Sequence, residues 1–256
     1  MTGAQATLID GDRLHLNHGP IDLIIDAKGP DRTAAYDAAI AGFEHILPGL
    51  VSELDVLTVA TSGGPVAGPV AKRMVEATLP LSAQRFVTPM AAVAGAVADE
   101  ALSMLVPFNL DKATVNNGGD IAFHLTTGQI FTAASPFGPI HVNADSPARG
   151  LATSGWRGRS QSLGIADAVT VLATTAARAD AAATLIANAV DLPGHPAVTR
   201  APAHEIEAVP QLNDLRVTVD VGHLAASDTS AALDAGQTYA AELVDCGLIL
   251  GAALML

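Results

Sequence analysis

Two oxygen-bearing side chains one helical turn apart, Asp180 and Thr184 in the run Ala179-Asp180-Ala181-Ala182-Ala183-Thr184, form the clearest chemical pairing in this chain. Residues four apart on a helix stand one above the other on the same face, so this carboxylate and hydroxyl can share one ligand. Aspartate is a poorer helix former than the alanines around it, which points to a role outside helix propensity. A hard cation such as magnesium binds through oxygen and takes few protein ligands, leaving positions for water and phosphate. An aspartate that merely faces water would show the same spacing.

Two glycine turns offer partners for an anion. In Asn116-Asn117-Gly118-Gly119-Asp120 the glycines allow positive φ, so successive amides can form a nest for phosphate while Asn117 and Asp120 supply side chains. Asn-Gly is equally a common hairpin turn. The second is Thr153-Ser154-Gly155-Trp156-Arg157-Gly158-Arg159. Its hydroxyls and the Gly155 amide can bond phosphate oxygens or the edge of a heterocycle. Arg157 and Arg159 present forks suited to phosphate, and Trp156 can stack on a flat ring. The competing reading is a surface ion-pair pattern.

Other candidates are thinner. His15 and His18 have a three-residue spacing but no cysteine or acidic partner nearby in sequence to complete a transition-metal site. Ser154 lacks the Gly-x-Ser-x-Gly elbow of a hydrolase nucleophile. His18, His124, His195 and His223 are all conceivable bases, and a lone histidine in an apolar strand, like His124, is usually structural.

The elements that must position these groups follow from periodicity and turn chemistry. Asp10-Gly11-Asp12 between two short alternating runs predicts a hairpin, and Ile21–Ile25 a further strand. Asp31 caps a predicted helix with Ile40, Phe43, Leu47 and Leu50 at helical spacing, which Pro48 should kink or end. The segment Thr61–Pro69 is a loop before a short amphipathic helix carrying Arg73, Met74 and Glu76. Pro89 opens a small-residue helix, Ala91–Leu105, whose start exposes backbone amides that an anionic group can approach. Strands are expected at Ala113–Val115, Ile121–Leu125, Gln129–Ala133, Ile140–Val142 and Ala168–Ala173, then a helix over Thr174–Val190. A polar, proline-containing stretch, Pro193–Pro210, leads to a strand at Arg216–Val221, a helix at Thr229–Val244 and a last strand at Gly247–Leu256. The pattern is α+β, antiparallel sheet with alanine-rich helices, in a single domain 1–256. The recurrence of strands followed by such a helix suggests two similar lobes, about residues 1–110 and 111–256.

Composition bounds the partners. The 256 residues are half apolar and poor in aromatics, enough for a full core packed from small side chains. A formal charge of −13 with no basic block argues against nucleic acid. The longest apolar run, Leu248–Leu256, is about half the roughly twenty residues of a membrane helix. The start of the chain has no basic or apolar leader region, and the one cysteine, Cys246, suits a reducing compartment, so a cytoplasmic location is expected. The terminal strand and small-residue helices are compatible with a homodimer and with a monomer.

With these residues in view, the chain resembles the UPF0280 family, a branch of the ApbE-like superfamily. The resemblance covers most of the chain. It is carried by His18-Gly19-Pro20-Ile21-Asp22, Thr88–Gly95, Val115–Asp120, Ala152–Ser160, Ser162–Val171 and Ala179–Thr184, in that order. The superfamily includes magnesium-dependent FAD:protein FMN transferases, which split FAD at its pyrophosphate and attach FMN to a threonine. Their metal ligands come from an Ala-Asp-Ala-x-x-Thr helix and a backbone carbonyl in a glycine- and alanine-rich segment. The resemblance implies Asp180, Thr184 and a carbonyl at Ala92 or Ala94 here. It also implies that Asn117, Gly118, Gly119, Asp120, Thr153, Ser154, Gly155 and Trp156 line a flavin or nucleotide site.

One departure bears on activity. Flavin transferases carry His-x-x-Asp-Pro-x-Thr-Gly between the Thr-Ser-Gly turn and the Val-Thr-Val strand, whereas here that interval, Trp156–Ala168, holds no histidine. The resemblance therefore implies a magnesium-dependent enzyme that binds FAD, FMN or another phosphate-bearing ligand and acts at a phosphate or pyrophosphate linkage. Arg157, Arg159 and His18 are its catalytic candidates. The alternative is a non-catalytic flavin- or nucleotide-binding accessory protein.

Overall fold

Turn chemistry sets the first elements. Asp10 and Gly11 both take positive φ, which closes the hairpin of β1 (Gln5–Ile9) and β2 (Arg13–His18). The structure is a computed structural model and describes residues 3–83, 85–158, 160–206 and 214–256. The remaining elements are β3 (Ile21–Lys28), α1 (Arg32–Phe43), α2 (Ile46–Val51), α3 (Leu54–Leu57), α4 (Pro69–Ser82), a 3-10 turn at Pro89–Ala92, α5 (Val93–Leu105), β4 (Lys112–Asn117) and β5 (Asp120–Leu125). They continue with β6 (Ile130–Ser135), β7 (Gly138–Asn143), β8 (Gly150–Ser154), β9 (Ala168–Ala173) and α6 (Ala176–Ala189). The chain ends with β10 (Val198–Pro202), α7 (Ala203–Ile206), β11 (Arg216–Val221), α8 (Ala226–Asp245) and β12 (Gly251–Met255).

Local sequence explains most boundaries and two differences from expectation. The helix after Asp31 stops at Phe43, and Pro48 lies in the first turn of the separate helix α2, where its missing N–H costs no hydrogen bond. The Asp31 carboxylate does not cap its own helix; it accepts the Asn109 amide at 3.0 Å. The stretch after Pro193, expected to be irregular, contributes β10, which pairs antiparallel with β11; residues 207–210 of that stretch lie outside the described ones.

The chain divides into two compact units, residues 1–152 with 172–181, and residues 153–171 with 182–256. In the first, strands follow the order β1-β2-β3-β4-β5-β8, and neighbouring strands run antiparallel. Alternation gives the sheet two faces. Leu14, Leu16, Leu23, Ile25, Ala113, Val115 and Ala122 are buried on one, which α5 covers over β4 and β5 while α1 packs on β2. On the other, Phe123 and Leu125 pack with Phe131 and Val142 of the β6–β7 hairpin, and the Phe123 and Phe131 rings stack at 4.1 Å. The second unit holds the end of β8, β9 and β12 as neighbours, the β10–β11 pair, and α8 packed on β12.

Small residues let backbones of the first unit meet directly. A Cβ on Gly95 of α5 would stand 2.3 Å from the Ala176 carbonyl oxygen. At this crossing Asp99 of α5 accepts the amides of Ala176 at 3.0 Å and Ala177 at 2.9 Å, the first residues of α6. It thus does from another helix what an N-cap residue normally does from the preceding position. Burial pushes the Asp99 carboxyl above its usual range, while the two amides and Arg73 pull it back. Among the described residues no helix is long and apolar enough to cross a membrane. Asp99→Ala strands two buried amides and is expected to cost about 2 kcal/mol, a drop of roughly 4–8 °C in melting temperature by calorimetry; an unchanged melting point would contradict this role.

Candidate functional site

Asp180 is held by the start of α5. Its Oδ2 accepts the Gly95 amide at 2.9 Å, and the Ala94 amide adds a second hydrogen bond. The 3-10 turn opened by Pro89 ends at Ala92, so these amides belong to the first turn of α5 and have no carbonyl behind them. The anion expected to approach this amide-rich start is therefore the chain's own carboxylate. Asp180 keeps part of its surface open, yet the protein around it strips most of its hydration. That desolvation pushes its carboxyl well above the ordinary range, Asp120 repels it in the same direction, and the two amides pull it down.

The Asn116–Asp120 turn brings the second acid. Gly118 at φ 66° and Gly119 at φ 116° close the two-residue hairpin between β4 and β5, with Asn117 opposite Asp120. The turn is thus the hairpin that Asn-Gly commonly makes, and it also lies at the acid site. Asn116 Oδ1 accepts the Gly119 amide at 2.8 Å, so this amide is already engaged. Buried Asn117 donates its Nδ2–H to the Ala94 carbonyl at 3.0 Å, fixing the turn to the first residues of α5. Alternation puts Asp120 on the face of the sheet that α5 covers.

In the second unit, the turn after β8 is built by close approach. A Cβ on Gly155 would lie 2.4 Å from the Asp167 carbonyl oxygen and 3.0 Å from that of Ala166. The Trp156 amide donates to the Ala166 carbonyl at 3.0 Å, and the Gly158 amide closes the turn on the Gly155 carbonyl at 3.0 Å. Asp167 Oδ1 then accepts both the Trp156 indole N–H at 3.1 Å and the Arg157 Nε–H at 2.7 Å. The Arg157 guanidinium lies 4.5 Å from the Trp156 ring centre, so one face of the indole is taken. The Thr153 hydroxyl is 2.7 Å from that of Thr170 on β9, and Ser154 is half-buried.

The other sequence candidates are placed as follows. Thr184 lies one turn beyond Asp180 on α6, half-buried, and Ala92 is wholly buried. His18 sets its ring edge-on to Phe43, with Nδ1 buried and without a hydrogen-bond partner among the described residues. Arg159 lies outside the described residues. Sequence reasoning passed over Asn116, Asp99 and Asp167. Asn116 carried a visible signal in the doubled asparagine; Asp99 acts on backbone amides 77 and 78 residues away and Asp167 on side chains across a turn, and neither leaves a local pattern.

The residues present suit a hard cation. Asp180, Asp120 and the carbonyls of Ala92 and Ala94 are oxygen donors, and a desolvated carboxylate beside a second one gains most from a positive charge.

Comparison with known proteins places this chain in a family. The family model described as "AbpE bacteria" matches residues 5–256, and the chain belongs to that family. It is 41% identical over 132 residues to a UPF0280 protein of Methanothrix thermoacetophila, covering 48% of this chain and 53% of that protein. A UPF0280 protein of Methanothermobacter thermautotrophicus is 38% identical over 133 residues, 49% of this chain and 50% of that one. The chain thus spans about half the length of the curated relatives it matches. Among solved structures, the flavinyl transferase ApbE of Pseudomonas stutzeri in its apo form aligns with a TM-score of 0.42 at 14% identity, covering 73% of this chain and 86% of that one. The ApbE protein of Thermotoga maritima aligns at 0.43 and 12%, covering 74% and 87%.

Because the folded protein raises the Asp180 pKa, ionising it costs stability. That cost is absent below the unfolded carboxyl's value, near 4, and grows as pH rises through the folded one. In chelator-treated buffer Asp180→Asn is expected to melt about 2–4 °C above the wild type at pH 8, the shift that roughly 1 kcal/mol makes in a chain of this size. The gap should close toward pH 4; a variant less stable than the wild type at pH 8 would show that the amide bonds outweigh the repulsion.

Proposed function

We propose that this member of the AbpE bacteria family holds a magnesium ion at Asp180 and binds FAD, FMN or another phosphate-bearing ligand, acting at a phosphate or pyrophosphate linkage. The observation that carries the reading is the Asp180 carboxylate, half-buried on the Gly95 amide at 2.9 Å with the acid Asp120 repelling it. Such a pair is costly in the absence of a cation and is relieved by one. Thr184, on the same helix, and the carbonyls of Ala92 and Ala94 are the further oxygen ligands the family resemblance implies. A bound magnesium ion would neutralise phosphate charge and polarise the phosphorus for attack.

The chain's own groups have separable parts in this reading. Asp180 and Asp120 supply negative charge at a point where amides alone would favour an anion. Asn117, through Ala94, fixes the hairpin turn against the start of α5. In the second unit Thr153 and Ser154 offer hydroxyls, and Arg157 a guanidinium, to phosphate oxygens.

A second reading keeps the ligand and drops the chemistry. The interval that carries the catalytic histidine in flavin transferases is here anchored by Asp167 on Trp156 and Arg157, an arrangement suited to holding a ligand rather than to moving a proton. On this reading the chain is a flavin- or nucleotide-binding accessory protein.

Incubation with FAD and magnesium separates the two. The enzyme reading expects hydrolysis to FMN and AMP, detected by chromatography, with the yield abolished in Asp180→Ala. Saturable FAD binding with no product over long incubation favours the accessory protein. Unchanged turnover in Asp180→Ala would reject the metal assignment.

A further inference from the structure

Two hydrogen bonds converge on one carboxylate oxygen in the second unit, and their two donors stack on each other. Asp167 Oδ1 accepts the Trp156 indole N–H at 3.1 Å and the Arg157 Nε–H at 2.7 Å, while the guanidinium lies over the indole at 4.5 Å. The backbone imposes this meeting. Gly155 has no Cβ, so the chain at Ala166 and Asp167 lies directly against the turn, and the Trp156 amide bonds the Ala166 carbonyl. Trp156 and Arg157 occupy the two corner positions of the turn that the Gly158 amide closes on Gly155.

As a stabilising device the pair is weakly motivated. The Arg157 side chain is 64% exposed and that of Asp167 28%, and ion pairs that open to solvent contribute little to folding. As a way to fix an arginine it is effective. A free arginine side chain loses much rotational freedom when it binds an anion, and stacking plus an Nε bond removes that freedom beforehand. Asp167 engages Nε, and among the described residues the two terminal nitrogens of the guanidinium remain for another acceptor, in the forked geometry that suits phosphate oxygens.

We propose that Asp167 is a positioning residue that locks Arg157 onto Trp156 as a preorganised arm for a phosphate group. The indole supports the arginine and is not the stacking platform for the ligand's ring. The inference rests on the reading above that the chain binds a phosphate-bearing ligand, and it specifies what this turn recognises: phosphate oxygens, not the flavin ring. A ligand with pyrophosphate gains from the arm, and riboflavin, which has no phosphate, does not.

Trp156 is the only tryptophan of the chain, so tryptophan emission, excited beyond the absorption of the two tyrosines, reports this cluster alone. Inorganic pyrophosphate with magnesium, which is transparent at the wavelengths used, serves as the probe; riboflavin serves as the phosphate-free control by calorimetry. The wild type should show a saturable change in tryptophan emission with pyrophosphate. Asp167→Ala should weaken pyrophosphate binding by about tenfold, the scale of freeing one flexible side chain, and leave any riboflavin binding unchanged. Asp167→Asn, whose side-chain oxygen can accept the same two hydrogen bonds, should retain most of the affinity. Arg157→Lys, which has no Nε fork, should lose it as Asp167→Ala does, and this variant decides the matter should Asp167→Ala fail to fold. Wild-type pyrophosphate affinity in Asp167→Ala despite shifted emission, or full affinity in Arg157→Lys, overturns the positioning role while leaving the functional reading intact. A wild type that binds neither pyrophosphate nor FMN overturns that reading and this inference together.

Discussion

Helices α5 and α6 exchange carboxylates at their N-termini, and the first unit's chemistry depends on that exchange. Asp99 of α5 takes the first amides of α6, while Asp180 of α6 takes amides at the start of α5. Gly95 lies at the crossing, where any side chain would strike the Ala176 carbonyl. Backbones this close bury their unsatisfied amides, and buried amides need acceptors. The exchange supplies acceptors that are themselves charged, so the packing solution creates an electrostatic cost. Asp99 and Asp180 are both pushed toward the protonated form.

That cost is unevenly distributed. Asp99 is repelled by Glu100 but offset by Arg73 as well as by its two amides, whereas Asp180, repelled by Asp120 of the β4–β5 hairpin that Asn117 fixes, is offset by amides alone among the described residues. The imbalance at Asp180 concentrates negative charge at this point of the unit. Scaffold and candidate site are therefore one set of contacts.

The second unit repeats the logic with different residues. Gly155, like Gly95, lacks the atom that would hold two backbones apart, and the approach it permits brings a carboxylate to two donors at once. The amide-rich start of α5 looked open to an external anion and is occupied by an internal one. The indole of Trp156 looked open to a planar ring and carries a guanidinium on one face. In both cases the fold already engages the group, through Asp180 at the helix start and through Arg157, held by Asp167, on the indole.

Features governed by neighbours in sequence were legible. Asp10-Gly11 and Gly118-Gly119 closed hairpins because their φ preferences are intrinsic, and the alanine-rich segments formed α5 and α6 because small residues at helical spacing do so in any buried setting. The strand β10 was hidden because its pairing depends on β11, across the polar stretch that separates them. The pairing of Asp180 with Thr184 needed only helical pitch. What surrounds Asp180 needed the tertiary structure, since Gly95 is 85 residues away and Asp120 opens strand β5. Sequence by itself determined which groups are present and their local spacing, because dihedral preference and periodicity act over a few residues. Only the folded chain decided which carboxylates lose their water and which donors they meet, because desolvation and hydrogen bonding depend on distance in space.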